Sequence, residues 1–163
     1  MKRKGMFRAV LVSAILVALG LVSTPSPASK RRQAPKPKIF AQRLVEQTLA
    51  KHPEVSGIEL SIRSSTACST IAASDRKDIG EKCDQDELEP IRTGKPSVEE
   101  ESDGFDITLP LHDTTGQLIG AVGMDFKPKA GQRRSSVLDS AEKIRQELEA
   151  QIRSQAKLLE PVD

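Results

Sequence analysis

The sequence predicts an α+β fold, an antiparallel sheet of about five strands with one helix before it and another after it. Three observations predict it. Residues 58–63 (IELSIR) and 105–112 (FDITLPLH) alternate apolar and polar side chains, the period of a half-buried strand. Residues 118–126 return after the turn-forming DTTG at 113–116, which makes the second segment one arm of a hairpin. Helical spacing of apolar residues flanks these strands, over 39–51 on one side and from Ser136 onward on the other.

The elements follow in chain order. Residues 1–28 open with Lys2, Arg3, Lys4 and Arg8, continue as an apolar run over 9–22 and end on the small residues Ser26-Pro27-Ala28. This is the layout of a secretory signal peptide. The apolar run falls short of the ~20 residues a spanning helix needs. Membrane contact is therefore expected only if the leader stays uncleaved, and the body is expected to be extracytoplasmic, either periplasmic or secreted. Residues 29–38 (SKRRQAPKPK) read as a basic, solvated linker. Over 39–51, Phe40, Leu44, Val45, Thr48 and Leu49 share a helix face, and His52-Pro53 ends it. The strand at 58–63 turns Ile58, Leu60 and Ile62 to one side, and a short apolar stretch over 70–73 follows a loop of small residues.

After a charged loop at 75–82, Asp84 and Glu87 have capping-box spacing for a short helix ending near Thr93-Gly94, with Pro90 expected to kink or shorten it. Residues 97–102 (SVEEES) suit a polar edge strand, and Asp103-Gly104 a turn. In the closing hairpin Phe105, Ile107, Leu109 and Leu111, then Leu118, Val122, Met124 and Phe126, are expected inward. Pro110 is expected to leave a bulged or unpaired position, and Gly120 and Gly123 to permit close approach. Beyond 127, Ser136 is the expected cap of a helix whose stripe is Val137, Ala141, Ile144, Leu148 and Ile152. That stripe can pack back on the sheet or pair with another copy. The natural division is thus 1–28, 29–38, a domain over 39–127, and a C-terminal helix and tail over 128–163.

Charge and composition exclude several functions. The chain carries a net +2, but residues 39–163 hold 16 Lys and Arg against 23 Asp and Glu, so the basic charge belongs to the leader and linker. With no Trp or Tyr and an acidic body, nucleic acid is not an expected partner. Cys68 and Cys83 are the chain's two cysteines. In an exported chain one disulfide is the simplest expectation; free thiols and metal ligation remain open, although no CxxC and no nearby His support a metal.

The segment TIAASDRKDIG (Thr70–Gly80) and the hairpin FDITLPLHDTTGQLIGAVGMDF (Phe105–Phe126), placed after an N-terminal helix and the strand at 58–63, resemble the extracytoplasmic PAS-like sensor modules called single Cache (PDC) domains. The resemblance spans roughly 39–127. It implies a PAS/Cache-like sheet, a small-molecule ligand, and an aspartate-containing loop, here Asp75, at the ligand face.

The polar faces of the strands supply the other candidates. Opposite the apolar stripes lie Glu59, Ser61 and Arg63, then Asp106, Thr108 and His112, then Asp125. If the 74–95 segment covers that face, a small anionic or zwitterionic molecule can pair with Arg63 or Arg92 and with an Asp. The candidate ligand-binding residues are therefore Arg63, Asp75, Arg92, Asp106, His112 and Asp125; a wet, non-functional sheet face is the alternative. No metal or cofactor site is expected. Gly94-Lys95-Pro96-Ser97 lacks the context of a P-loop, and the glycines at 116, 120 and 123 sit in a hairpin, away from any strand-to-helix turn. The acidic runs at 84–89 and 99–101 lack calcium-loop spacing and read as solvated faces. No nucleophile elbow or catalytic triad spacing appears. The expected function is a non-enzymatic, exported, stand-alone sensor module that binds a small molecule and acts through a partner. The alternative is a structural or protein-interaction module, an unknown partner or homodimer being its counterpart.

Overall fold

The structure, a computed structural model, describes residues 37–162 apart from 103, 128 and 130. The expected leader, most of the basic linker and Asp103 of the expected turn lie outside the described residues. The elements are α1 (Phe40–Lys51), β1 (Val55–Arg63), β2 (Cys68–Ala73), α2 (Gln85–Thr93), β3 (Ser97–Glu101), β4 (Gly104–His112), β5 (Leu118–Phe126), α3 (Arg134–Glu149) and the short α4 (Gln155–Leu158).

All strand pairs are antiparallel, and the sheet order is β2-β1-β5-β4-β3. The first strand therefore pairs with the last at the centre. One face carries the core. There α1 packs on β1 and β2, and α3 packs on β4. Ile58, Leu60, Ile107, Leu109, Leu111, Val122, Met124 and Phe126 meet Leu44 and Val45 of α1 and Val137, Ala141, Ile144 and Leu148 of α3. Burial of these side chains at roughly 1.5–3 kcal/mol each is the main favourable term. Buried Gln42 clasps α1 to the sheet, its Nε2 donating to the Ala73 carbonyl at 2.9 Å while its Oε1 accepts from the Ala73 N–H at 3.3 Å. The other face is covered by α2, which lies over β4 and β5.

Several elements depart from expectation for definable reasons. β1 begins at Val55, three residues early, because Val55 is buried and pairs with Phe126. Pro90 neither ends nor shortens α2, which runs to Thr93 and left-handed Gly94; its ring is buried beside Ile91, offsetting one lost backbone bond. The strand holding Pro110 does contain the expected irregularity, between Leu111 and His112, while Pro110 itself keeps register opposite Ala121. β3 begins at Ser97 opposite Thr108, so β4 has no neighbour on that edge at Pro110 to lose a bond. The same irregularity pairs Leu111 with Gly120 and His112 with Leu118. It leaves Ile119 as the extra residue, and Ile119 enters the core where Leu118 was expected.

α3 starts at Arg134, two residues before Ser136. The Ser136 hydroxyl donates back to the Arg133 carbonyl at 2.7 Å and so does not cap. Its whole expected stripe, with Ile152 just beyond the helix, is buried within the single chain, which leaves none of it to pair with another copy. The tail docks too: Leu158 is buried, Ile39 and Pro161 form a bridge, and the Val162 N–H donates to the Lys38 carbonyl at 2.8 Å.

Candidate functional site beneath α2

The α2 face of the sheet is polar by construction, because alternation turns Glu59, Ser61 and Arg63 of β1 away from the core. Cross-strand register then sets Thr70 beside Ser61, Asp125 beside Asp106, and Gly123 beside Thr108. α2 is seated on this surface by a full capping box. The Asp84 carboxylate accepts from the Asp86 N–H at 2.9 Å, and Glu87 Oε2 accepts from the Asp84 N–H at 2.8 Å. Glu87, Pro90 and Ile91 point down. Glu87 is 7% exposed. The acidic run at 84–89 is thus not a uniformly solvated face; its Glu87 joins Pro90 and Ile91, at i+3 and i+4, in the helix's inner stripe, a signal that helical spacing carries.

Two differently charged compartments result. At one end a pocket of about 190 Å³ is bordered by Glu59, Asp78, Asp106 and Asp125. The Glu59 carboxylate lies over Gly123, where an added Cβ would sit 3.2 Å from its Oε1. Burial, and then the hydrogen bond with Glu87, push Glu59 up to about 8. Burial also raises Glu87, and its hydrogen bond holds Asp84 low. Burial and then the charge of Asp125 push Asp106 up to about 6. Ser61 contributes a hydroxyl 3.2 Å from that of Thr70 and donates to Glu87 Oε1 at 3.5 Å. Among the described residues no group of His, Cys, Asp and Glu is arranged to hold a metal ion.

At the other end an open cleft of about 670 Å³ lies between the β1–β2 turn and α2. Its lining holds three cations, Arg63, Lys82 and Arg92, the apolar side chains Leu88 and Ile91 of α2, and the hydroxyl-rich turn at 64–66. No carboxylate lines it. Leu88 is exposed, 42% of its surface facing out. The wall is completed by Cys68 and Cys83, which are joined as a disulfide with Cα atoms 5.3 Å apart. The disulfide settles the three alternatives left open for these cysteines. Three cations beside the apolar side chains of α2 suit a small anion with an apolar body, since charge-assisted hydrogen bonds strengthen where water is displaced.

Of the candidate residues, Arg63 and Arg92 meet in the cleft, and Asp106 and Asp125 meet in the acidic pocket. Asp75 and His112 join neither. Asp75 is exposed in its loop, accepting from the Lys77 N–H at 3.0 Å and pairing with Lys77 Nζ at 3.3 Å. His112 is tied to α3, with Nδ1 2.9 Å from Glu149 Oε1 and its N–H donating to the same oxygen at 2.8 Å. Lys82, Leu88, Ile91 and Glu87 were not among the candidates. Lys82 comes to the cleft because the segment around it is tied to β2, by the disulfide of its neighbour Cys83 with Cys68 and by its own bridge to Ser69.

A five-stranded antiparallel sheet with helices on both faces and a cleft beneath one of them has the α+β architecture of GAF/PAS-like domains. The chain is similar to the GAF domain of a two-component sensor histidine kinase from Bacillus halodurans, at 10% identity and a TM-score of 0.51, covering 68% of this chain and 91% of that one. It is similar as well to a putative GAF sensor protein from Burkholderia vietnamiensis, at 12% identity and a TM-score of 0.50, covering 72% and 76%. A third structure, the inducer-binding domain of the transcription factor PobR from Acinetobacter, solved with 3-hydroxybenzoic acid, has 12% identity and a TM-score of 0.49, covering 74% and 97%. No protein-family model matches the sequence, and no curated protein matches it. The fold is therefore GAF/PAS-like, and neither of the first two structures is described as a Cache domain.

Proposed function

We propose that this chain is an exported small-molecule sensor module of the PAS-like, Cache-type kind, which binds a small carboxylate with an apolar body in the cleft beneath α2 and acts through a protein partner. The observation that carries the reading is the convergence of Arg63, Lys82 and Arg92 around Leu88 and Ile91, with no carboxylate in the lining. It is the more telling because the body as a whole is acidic. Export is supported by the signal-peptide layout of residues 1–28 and by the disulfide. The sensor role is supported by the fold, whose cleft is roofed by a short helix that a ligand can shift.

The test is calorimetric titration of the purified chain with benzoate and hexanoate, against benzylamine and hexylamine as cationic counterparts. Binding of either carboxylate, weakened at least tenfold by Arg63→Ala or Arg92→Ala with circular dichroism unchanged, is the expected result. Preferential binding of the amines, or carboxylate binding indifferent to both substitutions, overturns the assignment.

A further inference from the structure

The disulfide does more than staple the fold, because of where its sulfurs lie. Cys68 and Cys83 are half-buried and form part of the wall of the cation-lined cleft. Arg63, directly opposite Cys68 in the β1–β2 register, Lys82, the residue before Cys83, and Arg92 share that wall. We propose that Cys68–Cys83 is an exchangeable disulfide whose reaction partner is a small acidic thiol, one carrying a carboxylate or sulfonate beside its sulfhydryl. This rests on the cleft being an anion site, as proposed above, and assigns that site a covalent reaction.

The step balances without any further reagent. The incoming thiolate attacks one sulfur of the pair, its new S–S bond replacing the old one, and the electron pair of the broken bond leaves on the second cysteine as a thiolate. A second molecule of the same thiol then attacks the mixed disulfide. It releases the symmetrical small-molecule disulfide and leaves both cysteines reduced, so two thiols are oxidised as one protein disulfide is reduced. The three cations act twice. They raise the local concentration of the anionic reagent, and they stabilise the thiolate that departs. A disulfide elsewhere on this acidic body would repel the same reagent.

Opening the bond has a defined structural reach. Cys83 is followed at once by Asp84, the cap of α2, so the covalent anchor of the cleft's roof is released. The Cys83 N–H bond to the Cys68 carbonyl at 3.2 Å and the bridge between Ser69 and Lys82 remain to hold the strand in place. The thiol state would thereby set how firmly α2 closes the cleft.

The experiment follows the intact mass of the full chain during reaction with 2-mercaptoethanesulfonate, 2-mercaptoethanol or cysteamine, each at the same thiolate concentration. Rates ordered anionic, neutral, cationic, with the sulfonate about tenfold faster than cysteamine, are expected. That advantage should shrink in 0.5 M salt and vanish in Arg63→Ala/Arg92→Ala. Equal rates, or a faster cationic thiol, overturn the proposal. Benzoate titration of the intact, disulfide-bonded chain separates the two ideas. Benzoate binding that needs Arg63 and Arg92, with no charge preference in exchange, sinks the exchange proposal alone, whereas absence of both sinks the anion site with it.

Discussion

Glu59 is a carboxyl group that the fold keeps protonated near neutrality. The folded chain holds its proton up to about pH 8, whereas an unfolded chain releases it near 4.5. Stability from this group is complete below the unfolded value and declines as pH rises toward 8. Asp106, pushed up to about 6, adds a smaller decline of the same sign at lower pH. Glu59→Gln, neutral and nearly isosteric, is expected to leave urea stability at pH 5 almost unchanged. At pH 8.5 it should raise stability by about 2 kcal/mol, a figure discounted for solvent screening at an incompletely sealed pocket. Equal destabilisation at both pH values would contradict this. Gly120 is a second single-residue constraint, since an added Cβ would lie 1.9 Å from the Ser61 carbonyl oxygen. Gly120→Ala should lower the urea midpoint by the equivalent of about 3 kcal/mol, the range of overpacked cores. The need for a small residue at 120 and 123 is legible in the hairpin itself. The side chain that Gly123 makes room for is not, because Glu59 lies in a different strand, 64 positions away in the chain.

At the scale of elements, α2 depends on its first turn. Asp84→Ala should cost about 1 kcal/mol by removing the cap, and, because α2 is the roof of the cleft, it should weaken benzoate binding as well. A chemical-denaturation curve and a titration on the same variant check both effects. α3 behaves differently. Ile144 and Leu148 are buried against the sheet, at 1% exposure each. Ile144→Asp is therefore expected to abolish cooperative unfolding in the single chain, because an unpaired charge would enter the core. A folded variant that had merely lost self-association would instead place this stripe at an interface between copies. Most of these elements were readable from periodicity. Alternation located β4 and the inward residues 105, 107, 109 and 111, and capping-box spacing located the start of α2. What periodicity misjudged were irregularities of pairing. The extra residue Ile119 in β5 depends on the register of a partner strand, and the early start of β1 depends on Phe126 across the sheet.

The whole molecule is cross-linked once, between β2 and the segment leading into α2. Fourteen residues lie between the cysteines, a loop for which the chain-entropy account gives about 3 kcal/mol. Cys68→Ser/Cys83→Ser should lower stability by about that amount in a urea titration and leave the far-ultraviolet spectrum intact. The candidate site was only partly legible at this scale. A polar sheet face and the arginines at 63 and 92 could be read from alternation and composition. The separation of that face into a cationic cleft and an acidic pocket could not, since it requires knowing that Lys82 is carried to the first and that Glu87 is folded against Glu59 of the second. The bridge from Ile39 to Pro161 and the bond from Val162 to Lys38 have one further consequence. The two ends of the folded body meet side by side, so a short peptide spanning 162 to 38 would close the backbone into a ring. New ends could then be opened at the exposed 114–116 turn, and the rewired chain should keep the same sheet order.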